Sequence, residues 1–141
     1  YGDGRQVRDW LYVEDHCQAL CLALESGKPG AVYNIGGGAE RKNIDIVKQI
    51  LGLLGKPDSL IKFVKDRPGH DRRYAMSDAK LQALGWRPTT PFSQGVSETI
   101  TWYRTRKDWW GPLAKHLRED PYHWLNRSSG AGAQPTARAS R

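Results

Sequence analysis

The sequence predicts an α/β domain of short strands and amphipathic helices, with too few connections for a full doubly wound sheet. Three observations carry that expectation. Cys17, Leu20, Cys21 and Leu24 fall at the i, i+3, i+4, i+7 spacing of one helix face. Two short apolar runs, Ala31 to Ile35 and Leu60 to Val64, are bounded by glycine, proline and charge, as strands are. After the second run comes Asp66-Arg67-Pro68-Gly69-His70-Asp71-Arg72-Arg73-Tyr74-Ala75, a charge-dense loop leading to the next helical pattern.

Taken in order, Tyr1-Gly2-Asp3-Gly4 is a turn signal, and Gln6 to Val13 reads as extended chain. A helix is expected from Asp15 to about Glu25, with Asp15 and Gln18 as a capping box and the Cys17 to Leu24 stripe buried. Ser26 to Gly30 stops it. The strand Ala31 to Ile35 ends at Gly36-Gly37-Gly38, a turn that lets chain or ligand approach closely. That turn lacks the G-x-G-x-x-G spacing of a dinucleotide site. A loop through Glu40, Arg41 and Lys42 leads to Asn43, which can cap a helix over Ile44 to Leu54. Val47, Ile50, Leu51 and Leu54 form its apolar face, and Gly55 and Pro57 end it. Beyond the charged loop, Ser77 caps a helix from Asp78 to Leu84, with Leu81 and Leu84 inward and Gly85 as its stop. Trp86 and Pro88 cover the exit. Thr90-Pro91 opens a helix to about Arg106 with Phe92, Val96, Ile100 and Tyr103 in one stripe. A further short helix is expected over 111–119.

The chain has 141 residues, 38% hydrophobic and 26% charged, which suits one soluble domain. Its net charge of +7 favours an anionic partner, yet the charge is dispersed and forms no stripe of the kind nucleic-acid binders carry. Residues 127–141 hold three arginines, no acid and few apolar groups, and read as a disordered basic tail. No run is long enough to cross a membrane, and no signal peptide is visible. Two cysteines give no disulfide framework, and His16, Cys17 and Cys21 make a poor metal set. A cytoplasmic location is expected. The chain opens at Tyr1, in what reads as the middle of a strand and turn, so a fragment is expected.

Arginine offers a rigid donor fork suited to phosphate or carboxylate. Arg8 and Arg67 stand at the ends of separate predicted strands and can converge on one diphosphate. Asn43 and His70 are further polar candidates, with Asp66, Arg72 and Arg73 behind them. Plain alternatives exist: Arg8 can pair with Asp9, Asn43 can serve only as a cap, and the loop's acids and arginines can pair with one another. No nucleophile elbow, P-loop, zinc ribbon or metalloprotease motif is present.

Several stretches carry a resemblance: Tyr1 to His16 (YGDGRQVRDWLYVEDH), Tyr33-Asn34-Ile35-Gly36-Gly37 with Glu40 and Asn43, Asp66 to Ala75, and Leu84-Gly85-Trp86-Arg87-Pro88. Over residues 1 to about 110 the chain resembles the C-terminal part of the extended short-chain dehydrogenase/reductases that act on nucleotide sugars. Most of these motifs recur among epimerases and dehydratases. The stretch Asp66 to Ala75 is narrower and points to members that dehydrate dTDP-glucose.

The resemblance implies a C-terminal substrate-binding portion whose Rossmann half is missing. Residues 1–126 would form that portion, with segment 13–35 packing toward the absent NAD domain. Tyr1 would lie near the thymine, Arg8 on the diphosphate and Asn43 on the nucleotide. Asp66, Arg67, Pro68, Gly69 and His70 would wrap the far side. It implies an NAD-dependent lyase, dTDP-glucose as ligand and a homodimer formed through Rossmann helices. The family's Tyr-x-x-x-Lys pair does not occur in a suitable context, and its Asp-Glu pair and cofactor loop are absent, so no catalytic residue is expected and the chain alone should be inactive. Another nucleotide-sugar epimerase or dehydratase, and a stand-alone nucleotide-sugar binding module, are the competing expectations.

Overall fold

A computed structural model describes residues 1–114. Two compact units are distinguished, one of Tyr1–Trp102 and a second that begins at Tyr103. In order, the elements are β1 (Val7–Asp9), α1 (Val13–Ser26), β2 (Glu40–Lys42), α2 (Asn43–Leu53), a 3₁₀ turn (Asp58–Leu60), α3 (Ala79–Ala83), α4 (Phe92–Thr105) and α5 (Lys107–Trp110). The α/β expectation holds, with helix predominating.

β1 is central to the site. It pairs antiparallel with β2, Arg8 opposite Arg41. On its other side Val7 makes a parallel bridge to Arg73, with Val7 N donating to Arg72 O at 2.8 Å and Tyr74 N to Val7 O at 3.2 Å. The stretch expected as a loop at Glu40 to Lys42 is therefore a strand. The two predicted strands are not: Ala31 to Ile35 and Leu60 to Val64 make no ladder. Side chains fix the first instead, Asn34 Nδ2 donating to Ser77 O and Lys80 Nζ to Val32 O. The second makes one backbone bond to a distant segment, Gly2 N to Val64 O, besides the local bonds of the 3₁₀ turn.

The Gly36–Gly38 turn lies against β1. Asp9 accepts from Gly37 N and Ala39 N, both at 2.8 Å, so it is not the partner of Arg8. A side chain at Gly37 would overlap the Trp10 carbonyl oxygen. Gly37→Ala is expected to destabilise the fold by about 2 kcal/mol, because backbone must move to admit one methyl. A urea midpoint unchanged from that of the parent chain would contradict this.

α1 starts two residues earlier than predicted, and Asp15 is not its cap. The predicted face is also reversed: Cys17 and Cys21 are exposed, as are Leu20 and Leu24. The buried side presents Asp15 and Ala19, with Leu22 and Ala23 partly covered. Ala19 packs with Leu81 of α3 and Trp86 in the principal core, against Leu11, Tyr33, Ile35 and Leu84. Trp86 Nε1 donates to Asp15 O at 3.2 Å. The Asp15 carboxylate accepts from Thr89 N, Thr89 Oγ1 and Thr90 N, tying α1 to the start of α4. Burial pushes that carboxyl up, but the donors from Thr90 and Thr89 outweigh it and hold it below the ordinary range. Gly95 lets α4 approach Tyr12, whose hydroxyl is pushed up to about 12 by its hydrogen bond to Glu98.

α2 buries Ile46, with Ile50 and Leu51 partly covered, while Val47 and Leu54 are exposed. α3 is one residue shorter at each end than the predicted span, and Asp78, not Ser77, stands at its cap position, although Ser77 Oγ accepts from Ala79 N. In the second unit α5 ends at Trp110, whose Nε1 donates to Tyr103 O at 2.7 Å, and the helix expected over 111–119 lies mostly outside the described residues. His116, Tyr122, His123, Trp124 and the basic tail lie outside the described residues.

Candidate functional site

Three backbone links assemble the site. Asn43 N donates to Gln6 O at 2.9 Å and Ile44 N to Gly4 O at 2.8 Å, seating the start of α2 beside the N-terminal turn. The bridge from Val7 to Arg73 brings the charged loop to the other side of the same segment. Between them lies a cleft of about 290 Å³ lined by Tyr1, Gly4, Gln6, Arg8, Asn43, Arg67 and His70. Two arginines that sequence alone could only propose to converge thus line one cleft.

Arg8 is held from several sides. Nη1 donates to Val7 O at 2.7 Å and Nη2 to Asp71 O at 3.1 Å, and the guanidinium lies 4.1 Å from the centre of the Tyr74 ring. Arg67 is exposed, and its guanidinium has no hydrogen-bond or salt-bridge partner among the described residues. Its backbone N–H donates to Asp66 Oδ1 at 3.0 Å.

Pro68-Gly69 makes the predicted turn, Gly69 taking a φ of 65° that a larger side chain resists. The turn returns His70, its side chain 8% exposed, to Asp66 Oδ1 at 2.6 Å. That bond lowers the Asp66 carboxyl below its ordinary value against an opposing desolvation, and the Arg67 backbone N–H adds to the lowering. Gln6 Nε2 donates to the other Asp66 oxygen at 3.1 Å. The Tyr1 and His70 rings meet edge to face, centres 6.3 Å apart.

Of the eight site residues predicted, Tyr1, Arg8, Asn43, Arg67 and His70 line the cleft, while Asp66, Pro68 and Gly69 do not. Asp66 spends its oxygens on Gln6, His70 and Arg67, and Pro68-Gly69 shapes the turn behind them. Asn43 is the first residue of α2 and makes no capping bond; its Oδ1 is buried without a hydrogen-bond partner among the described residues. The capping alternative is therefore set aside. Internal pairing does account for Arg72, which bridges Asp3, and Arg73, whose fork grips Glu40 at 2.6 Å. Gln6 and Gly4 were not anticipated. A glutamine in an extended run gives no local signal; its 2% exposure arises from tertiary pairing.

Such a wall suits an anion flanked by aromatic and amide groups. It offers charge and hydrogen bonds, and no His/Cys/Asp/Glu cluster able to hold a metal exists among the described residues.

The fold is a portion of an extended short-chain dehydrogenase/reductase, the class whose members handle nucleotide sugars. Within it, the chain belongs to the family described as GDP-mannose 4,6 dehydratase, whose model matches residues 1–99. It is 52% identical to the dTDP-glucose 4,6-dehydratase of Escherichia coli, over 78% of this chain and 34% of the relative. It is similar to the crystal structure of DesIV, a dTDP-glucose 4,6-dehydratase from Streptomyces venezuelae with NAD bound. There the TM-score is 0.76 and identity 42%, over 80% of this chain and 35% of the other. The UDP-glucose 4-epimerase of Thermotoga maritima with UDP-glucose is also similar, with TM-score 0.69 and 31% identity over 75% and 34% of the two chains. The chain thus spans about a third of the length of these relatives.

Proposed function

We propose that this chain supplies the nucleotide-sugar binding part of an NAD-dependent dTDP-glucose 4,6-dehydratase. The observation that carries the proposal is the shared cleft of Arg8 and Arg67. Their forks take the diphosphate, Tyr1 lies toward the thymine, Asn43 meets the nucleotide, and Asp66 fixes His70 for the far side. Residues 1–126 act as this binding part. In the full reaction NAD serves as an internal hydride carrier while dTDP-glucose loses water to give the 4-keto-6-deoxy sugar. The chain's own residues do not fit that cofactor: the turn at Gly36–Gly38 is filled by Asp9 and the Trp10 backbone.

Segment 13–35 faces the NAD domain in this reading. Its support is a set of apolar side chains left uncovered among the described residues, with Leu20 52%, Leu24 87% and Val32 72% exposed. The working enzyme is a cytoplasmic homodimer in the same reading.

The test is calorimetric titration of the purified chain with dTDP, UDP and GDP. Tightest binding of dTDP is expected. Preference for UDP or GDP would move the assignment to another epimerase or dehydratase, and binding of none would overturn it. Incubation with dTDP-glucose and NAD should yield no 4-keto-6-deoxy sugar; its formation would refute the view that catalytic groups lie in other sequence.

A further inference from the structure

Tyr74 does not line the cleft, yet it closes a triangle around the arginine that does. Its ring lies under the Arg8 guanidinium at 4.1 Å. Its hydroxyl donates to Asp71 Oδ2 at 2.6 Å, while the Asp71 carbonyl accepts from Arg8 Nη2 at 3.1 Å. The backbone completes the frame, because Tyr74 N and Arg8 Nη1 both donate to Val7 O. One face of the guanidinium is thus stacked and two of its N–H groups are spent on carbonyls. The remaining donors form the part of the fork available to a ligand. The hydrogen bond to Asp71 raises the Tyr74 hydroxyl above its ordinary value, so the tether persists across neutral pH.

The geometry points to Tyr74 as a positioning residue that presets the Arg8 fork for the diphosphate of a nucleotide sugar. A long arginine side chain otherwise samples many rotamers, and that freedom is lost on binding. Stacking on an aromatic face and anchoring on two carbonyls removes the freedom before the ligand arrives. Tyr74 need not touch the ligand, since its hydroxyl serves Asp71 and its ring serves Arg8. This inference rests on the reading of the cleft as a diphosphate site.

A double-mutant cycle on the full 141-residue chain tests it, with dTDP and thymidine as probes. Tyr74→Leu should weaken dTDP about fivefold to tenfold and leave thymidine, which has no phosphate, unchanged. Tyr74→Phe keeps the ring and loses the tether, and should cost about twofold to threefold. In an Arg8→Ala background, Tyr74→Leu should add nothing, because the group it positions is gone. A merely structural role would instead give additive losses for both probes, and that result overturns the inference. So does an Arg8→Ala variant that weakens dTDP beside Tyr74 variants that bind it normally. Normal dTDP binding by Arg8→Ala would bring down the diphosphate reading and this inference with it. If thermal melting shows Tyr74→Leu unfolded, Tyr74→Phe decides: unaltered dTDP affinity overturns the inference.

Discussion

Arg8→Ala is expected to weaken dTDP binding by roughly thirtyfold, and Arg67→Ala by about tenfold. Both side chains border one cleft, but they arrive there differently. Arg8 is anchored on Val7 O, Asp71 O and the Tyr74 ring, so little order remains to be imposed when an anion binds. Arg67 projects from an exposed turn and must surrender its rotamer freedom on binding, which reduces its net contribution. Arg8→Lys should recover less than half of the lost binding free energy. A point charge cannot reproduce the planar fork or occupy the same two carbonyls. Both alanine variants should also flatten the fall of affinity with added salt, since each removes a screened attraction. The measurement is titration with dTDP at low and physiological ionic strength. Parental affinity in both variants would show that the cleft does not receive the diphosphate.

The parts readable in sequence are those whose cause is local. α4 lies where Thr90-Pro91 and its periodic stripe put it, and the Pro68-Gly69 turn forms as its residue pair dictates. Arg8 and Arg67 stood out as forked donors expected at strand ends, although Arg8 is the middle residue of β1 and Arg67 follows no strand. The misreadings share one cause, a partner distant in sequence. Ala31 to Ile35 has strand composition but no ladder mate among the described residues, whereas the charged Glu40–Lys42 is a strand solely because β1 pairs with it. On α1 the apolar stripe predicts an inward face, yet Thr89, Thr90, Leu81 and Trp86 select the side carrying a carboxylate and a small alanine. Periodicity reports which face is greasy. It does not report which neighbour is there to meet it.

That same carboxylate gives the largest expected effect on stability. Asp15→Ala should cost about 3 kcal/mol, because it removes charged hydrogen bonds and strands the Thr89 and Thr90 N–H groups beside a buried gap. Asp15→Asn should cost less. One oxygen can still accept from Thr89, while the new amide faces the Thr90 N–H with a donor. The pH dependence follows from the lowered folded value. Asp15 has an ordinary value of 3.8 and a folded value beneath it, so the unfolded chain takes up its proton first as the medium is acidified. Its contribution is fully present above pH 3.8 and disappears as pH falls through the folded value. Asp3, Glu40 and Asp66 are lowered too, by Arg72, Arg73 and His70 respectively, and they add acid sensitivity of the same sign. The difference between the parent chain and Asp15→Asn isolates the one carboxylate. Urea midpoints followed by circular dichroism should separate the two proteins most at neutral pH and bring them together in strong acid. A gap that stays constant, or widens as acid is added, would mean that Asp15 is not held as an ionised anchor between α1 and α4.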